Sequence, residues 1–421
     1  MSSSFRRIDV SATSAAVAFD VLVGDDAHGF WLTTRSSGRT VSRIGIGEPV
    51  SAGVLPVSDS PRRGDATGES WIGWAGYDQS ASIWLRAVRY VTVDHSSGLL
   101  WAHAPQDEID AWCDEVRRRV MSLPIRRTRG RADSTDVVAV ARHSPDEYRD
   151  MIATALDSIR AGDAYQLCLT TRFTVHDSLD PRLVHARLSQ ANAPYTALIR
   201  SGDRALVAAS PEQFLRLTAS GRVLTSPIKG TRPRESDPAL DAQRGLELVG
   251  DAKERSENLM IVDLMRNDLS RVCTADSVAV ARLFELESHA HVHQLVSQVT
   301  GRMREDCTID DLIDAAFPAG SMTGAPKLRA IQILAGLERG PRGAYAGCFG
   351  WLGERGDAEL AMTIRSAVFE GDIAYVGAGG GLTIDSRPEF EIDEVAVKAQ
   401  APLAALGARL PRPWESRGHD W

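Results

Sequence analysis

Beyond residue 145 the chain does not keep the strict strand–helix alternation of a parallel sheet. Residues 145–161 have the apolar spacing of a helix, 165–173 read as a strand, and 180–191 as a second helix. Three strand-like runs then follow in succession, at 195–201, 204–210 and 214–218. Runs of strands between helices predict a mixed α/β or α+β fold, not a regular βαβ nucleotide fold. No GxGxxG follows a strand, and no GxxxxGK(S/T) occurs.

The first third is plainer. Strands are expected at 17–23, 29–33, 71–77 and 83–94, a loop at 57–68, and a helix at 106–121. The basic, polar connector PIRRTRGRADS at 124–134 divides a smaller N-terminal region, 1–135, from a large C-terminal region, 136–421. The N-terminal region is expected to pack onto the core rather than to stand alone. A net charge of -8 argues against a general nucleic-acid binder, which needs a basic face. The five cysteines are an odd number with no CxxC, which predicts a reducing compartment and no structural zinc. No leader segment and no apolar run approaching the roughly 20 residues of a membrane span are evident, so a cytoplasmic location is expected.

Lysine is scarce: four of the 48 basic residues, namely Lys229, Lys253, Lys327 and Lys398. Where arginine is the default cation, a retained lysine marks a candidate site for a compact, titratable amine. Lys229 lies in SPIKGTRPR at 226–234 with Arg232 and Arg234. This is either a basic loop or a cradle for an anionic substrate. In the second case Lys229 is a candidate nucleophile, its pKa lowered by burial. In KERSENLMIVDLMRND at 253–268, Leu259, Val262 and Leu264 suggest a buried helical stripe, and Glu254 and Glu257 share a face. Glu391 and Glu394 repeat that spacing. A solvated helix surface accounts for either pair alone; brought together, the two pairs make a hard oxygen site suited to Mg²⁺.

Three further segments offer anion contacts. FPAGSMTGAPK at 317–327 is a turn before a helix, with Ser321 or Thr323 near the helix start. GAGGG at 377–381 is a tight turn or a set of backbone donors. Arg365 follows an apolar run at 360–364, and Tyr345 offers a hydroxyl. His289, His291 and His293 alternate but lack the second cluster that a zinc set needs.

Taken in series, these segments resemble the chorismate-utilising enzyme family. The resemblance rests on SPE at 210–212, SPIKGTRPR at 226–234, ERSENLMIVDLMRNDLS at 254–270, FPAGSMTGAPKLRA at 317–330, RGAYAG at 342–347, and GAGGG through PEFEIDE at 377–394. It covers about residues 145–405, with a weaker match at GWAGY, 73–77. It implies a large two-sheet antiparallel β-sandwich core flanked by helices. Gln166 stands where water-adding members carry a lysine, which argues against water addition. Lys229 stands where anthranilate-forming members usually carry alanine. The resemblance therefore implies para-amination, from chorismate and ammonia to 4-amino-4-deoxychorismate with pyruvate retained.

The same resemblance implies roles. Mg²⁺ would be held by Glu257 and Glu394, with Glu254 and Glu391 in support. Lys229 would attack the ring, with Glu212 as general acid. Arg365 and Tyr345 would hold the enolpyruvyl carboxylate. Gln166, Arg232, Thr323, Gly381 and Lys398 would complete the substrate pocket. Gln294 replaces a histidine that many relatives use in pyruvate elimination. About 140 N-terminal residues with one cysteine, Cys113, are too few for a glutaminase, so a separate glutamine amidotransferase subunit is expected to supply ammonia. Anthranilate formation and a non-catalytic binding or regulatory subunit remain the alternatives.

Overall fold

The computed structural model describes residues 3–8, 14–36, 38–50, 70–122, 137–176, 180–289 and 292–415. The loop at 57–68 and the connector at 124–134 lie outside them. Two large sheets of antiparallel strands form the core, one of twelve strands and one of ten among the described residues. The N-terminal strands do not form a body of their own. Gly29–Ser36 pairs with Tyr195–Ser201 in the larger sheet, and Ser70–Ala75 pairs with Cys348–Gly353 in the smaller.

Burial on both faces explains the three strand-like runs. In Tyr195–Ser201, Leu198 joins the cluster on the helix-covered side with Val184 and Leu188. Ala197 and Ile199 join Phe30, Leu206 and Phe349 in the layer between the sheets. Alternate residues thus serve two cores, and the strand reads as nearly continuous apolar sequence.

Three expectations are corrected. Residues 17–23 are not a strand: Ala15–Leu22 is a helix, its Ser14 cap accepting Val17 N–H. Ala15, Ala18, Phe19 and Leu22 are its buried residues, and this spacing outweighs the strand preference of its two valines. The run 83–94 is two strands, Ile83–Ala87 in the smaller sheet and Tyr90–Asp94 in the larger. The chain changes sheets at Val88 and Arg89. The GAGGG run is no turn but the interior of a strand, paired with the strand that begins at Gln166.

Six elements carry the site: β1 (Gln166–His176), β2 (Ile228–Pro233), α1 (Ala252–Ser270), α2 (Lys327–Leu337), β3 (Ile373–Leu382) and α3 (Pro388–Ala405). Asp251 caps α1 by accepting the N–H groups of Lys253 and Glu254, which fixes the turn bearing Glu254 and Glu257. The buried face of α1 differs from the expected stripe. Leu259 is exposed, whereas Ile261, Val262, Met265 and Leu269 are buried with Glu257, Asn258 and Asp268. At the end of α1, Lys327 Nζ at the head of α2 lies 2.7 Å from Asp268 Oδ2 and donates to Ala316 O, stapling α1 to α2. The residue capping α2 is Pro326, with no side-chain bond, so neither Ser321 nor Thr323 is its cap.

Candidate active site

β3 presents two adjacent positions without side chains, and five polar side chains converge on them. A β-carbon at Gly381 would stand 2.7 Å from Gln166 Nε2, 3.5 Å from Lys229 Nζ and 3.6 Å from Glu257 Oε2. One at Gly380 would stand 2.9 Å from Glu391 Oε2 and 3.4 Å from Glu394 Oε2. Glycine is thus required here for close approach of charged groups, not for a turn. Glu257 of α1 and both glutamates of α3 meet at this place, while Glu254 lies beside Gly230 and Arg232.

Each carboxylate faces a cation from this chain. Lys253 Nζ lies 3.8 Å from Glu257 Oε1 and 3.5 Å from Glu391 Oε1. Lys398 Nζ lies 2.8 Å from Glu394 Oε1 and donates to Gly379 O. Arg232 reaches Asp251 at 3.0 Å and Glu254 at 3.6 Å. Ser386 donates to Glu391 Oε1, while Glu391 Oε2 and Gln166 Oε1 are buried without a hydrogen bond. Among the described residues no three carboxylate, imidazole or thiolate groups are gathered closely enough to hold a metal ion. The donors are nevertheless all hard oxygens, and the half-exposed Lys253 ammonium stands between two of them as a cation would.

The electrostatics follow from burial and crowding. Burial, and then the charge of a neighbouring glutamate, push the carboxyls of Glu254 and Glu391 up; for Glu254 the neighbour is Glu257, and for Glu391 it is Glu394. Burial also raises Glu257, against the pull of Lys229. For Glu394 burial is outweighed by Lys398, and its carboxyl falls below the ordinary value. Glu212 is buried, and burial pushes it up to about 7 against Lys229 and a hydrogen bond with Ser321. The expected lowering of Lys229 is corrected. Burial disfavours its charge, but Glu257, Cys168 and Glu212 together outweigh burial and hold it above the ordinary lysine value.

Tyr345 is buried, its ring lying where a side chain at Gly377 would project. Arg365 is half-buried in a left-handed backbone conformation, φ 51°. Burial lowers its pKa, opposed by the fields of Tyr345 and Glu394. A non-glycine residue held in that conformation costs about 1 to 3 kcal/mol, a strain that tends to mark sites where a side chain must be aimed.

The Thr323 side chain is fully buried, its hydroxyl donates to Ala319 O and its carbonyl accepts Cys168 N–H. The Lys229–Arg232–Arg234 cluster is dispersed. Arg232 holds Asp251 and Glu254, and Arg234 forks onto Asp241. His293 is buried between Asp241 and Ser288, His289 faces Glu287, and His291 lies outside the described residues. Gln294 is buried in the strand beside β2, opposite Thr231. Sequence reasoning gave Lys253 no task; its four-residue offset from Glu257 was the available signal.

Two large antiparallel sheets with a cluster of acids and lysines floored by glycines characterise the class of protein. Residues 56–404 match the chorismate binding enzyme family, and the chain belongs to it. It is 38% identical over 364 residues to an aminodeoxychorismate synthase of Streptomyces pristinaespiralis, covering 80% of this chain and 50% of that one. It is 41% identical over 261 residues to aminodeoxychorismate synthase component 1 of Salmonella typhimurium, covering 62% of this chain and 57% of that one. The chain thus spans about half the length of these relatives. Among solved structures, anthranilate synthase component I from Streptococcus pneumoniae TIGR4 superposes with a TM-score of 0.72 at 25% identity, over 94% of this chain and 99% of that one.

Proposed function

We propose that the chain is the synthase component of an aminodeoxychorismate synthase, converting chorismate and ammonia to 4-amino-4-deoxychorismate. The observation that carries this reading is the half-buried Lys229, whose amine lies beside Gly381 and Gln166. A lysine there offers a nucleophile, and a glutamine at 166 offers no base to activate water.

In this reading the Lys229 amine attacks ring C2, the ring double bonds shift, and the C4–O bond breaks. Glu212, with its carboxyl raised to about 7, gives a proton to the hydroxyl, which leaves as water. Ammonia then bonds to C4, the double bonds shift back, and the C2–N bond to Lys229 breaks. Glu212 takes up the proton shed by the new amine. The enolpyruvyl ether is untouched, in keeping with Gln294 in place of a histidine. Arg365 and Tyr345 hold the enolpyruvyl carboxylate, and Lys398 adds positive charge beside Glu394. Backbone groups around Thr323, rather than its hydroxyl, would complete the pocket.

Glu257 and Glu394, with Glu254 and Glu391, are the residues that would hold Mg²⁺; the partnerless Glu391 Oε2 fits such a task. Bound there, Mg²⁺ would neutralise these carboxylates, orient the ring carboxylate and remove the field that keeps Lys229 protonated. A separate glutamine amidotransferase subunit would supply ammonia, in line with the "component 1" name of the Salmonella relative. No helix among the described residues is long and apolar enough to cross a membrane. None of the five cysteines is in a disulfide, which supports a reducing, cytoplasmic setting in this reading.

The test is product chromatography after supplying chorismate, Mg²⁺ and an ammonium salt. 4-Amino-4-deoxychorismate is expected. Fluorescent anthranilate would instead support the reading suggested by the likeness to anthranilate synthase component I.

A further inference from the structure

We propose that the buried Arg342–Glu338 pair is a positioning device that fixes Tyr345 relative to Gln166 across the substrate pocket; the inference rests on the aminating reading of that pocket. Arg342 and Glu338 are both almost fully buried. They form a two-pronged ion pair, Nε to Oε2 at 2.8 Å and Nη2 to Oε1 at 2.6 Å. Arg342 also donates to Met322 O at 2.6 Å and Cys168 O at 2.8 Å. Four of its five N–H donors are thus used, and the Tyr77 ring covers the guanidinium at 4.4 Å. Glu338 Oε1 accepts from both Thr170 N and Thr170 Oγ1.

These bonds fall at a gap in the sheet. On the side of β1 away from β3, a short strand pairs with Gln166 and Leu167, and another with Phe173 and Thr174. Between them no strand flanks β1 among the described residues. Buried backbone groups must still find partners. Thr323 O takes Cys168 N–H, Arg342 takes Cys168 O, and Glu338 takes Thr170 N–H. The ion pair therefore stands in for a missing strand, two to four residues after Gln166.

The same arginine lies three residues before Tyr345. The intervening backbone is pinned by Gly343 N–H to Asp78 and Ala344 N–H to the Tyr375 hydroxyl. Arg342 thus ties the strand bearing Gln166, the loop bearing Thr323 and the loop bearing Tyr345 into one rigid corner. A single charge could balance Glu338, but only the planar fork reaches Glu338, Cys168 and Met322 together.

The experiment compares wild type, Arg342→Lys, Tyr345→Phe and the double variant, with chorismate varied at saturating ammonium chloride and the thermal midpoint recorded. Arg342→Lys is expected to fold and to raise KM for chorismate about tenfold or more, with kcat within a few-fold. In the double variant the two effects should not multiply, because the misplaced Tyr345 hydroxyl has little left to lose. An unchanged KM in folded Arg342→Lys, or fold-changes that multiply, would overturn the proposal. Glu338→Gln, which keeps the acceptor for Thr170, should raise KM in the same direction. If neither variant folds, the pair is a stability element and the proposal also fails. If wild type makes no aminodeoxychorismate, the functional reading is at fault, and calorimetric binding of chorismate to wild type and Arg342→Lys still decides the positioning role.

Discussion

Lys229 Nζ stands 3.5 Å from the point where a β-carbon at Gly381 would lie, and Gln166 Nε2 stands 2.7 Å from it. Any side chain at 381 therefore competes with the amine for its place. Gly381→Ala should leave the fold intact, because only the ends of flexible side chains must shift, but should lower kcat/KM by about tenfold or more. Steady-state kinetics with ammonia as the nitrogen source, beside a thermal melt, checks this. Unimpaired kinetics would remove Gly381 from the site.

Glu212 predicts both a pH profile and a stability effect. Its carboxyl is raised from an ordinary 4.5 to about 7 by burial. As a general acid it must be protonated, so turnover should fall as pH rises through about 7. The folded state binds this proton more tightly than the unfolded chain, so the stability linked to Glu212 falls as pH rises from 4.5 to 7. At pH 8 the displacement is equivalent to about 3 kcal/mol. Glu212→Gln should therefore melt higher than wild type at pH 8, by an amount that shrinks towards pH 5, while losing nearly all turnover.

In the proposed reading, Lys253 and Mg²⁺ would contend for the same carboxylates. Lys253 spans Glu257 and Glu391 at 3.8 and 3.5 Å with nearly half its side chain exposed. Without that ammonium the acids repel one another more strongly. Lys253→Met should melt lower than wild type in a chelator and bind Mg²⁺ several-fold more tightly by calorimetry. Chelation should abolish turnover in wild type. Weaker Mg²⁺ binding by Lys253→Met would contradict the assignment of these acids.

The acids were legible because a helix repeats every 3.6 residues, so Glu254 and Glu257, like Glu391 and Glu394, had to share a face. The strand runs at 195–218 were legible because both faces are buried. The partners across the chain were not. Nothing local in 226–234 tells that Glu257 and Glu394 will surround Lys229, and burial alone then gives the wrong direction for its pKa. The same limit hid the sharing of Lys253 between α1 and α3, and the use of Arg232 against Asp251 rather than a ligand. Residues 17–23 were misread for a local reason: Val17, Val21 and Val23 pulled the stretch towards a strand, and only the buried spacing of Ala15–Leu22 marks the helix.

The covalent role of Lys229 is the core of the account, and intact-protein mass spectrometry tests it most directly. Enzyme mixed with chorismate and Mg²⁺ in the absence of ammonia should carry an adduct of chorismate less one water, mapped to Lys229 by proteolysis and discharged when ammonium is added. Lys229→Ala should carry no adduct and make no aminodeoxychorismate. Full product formation by Lys229→Ala would contradict the account.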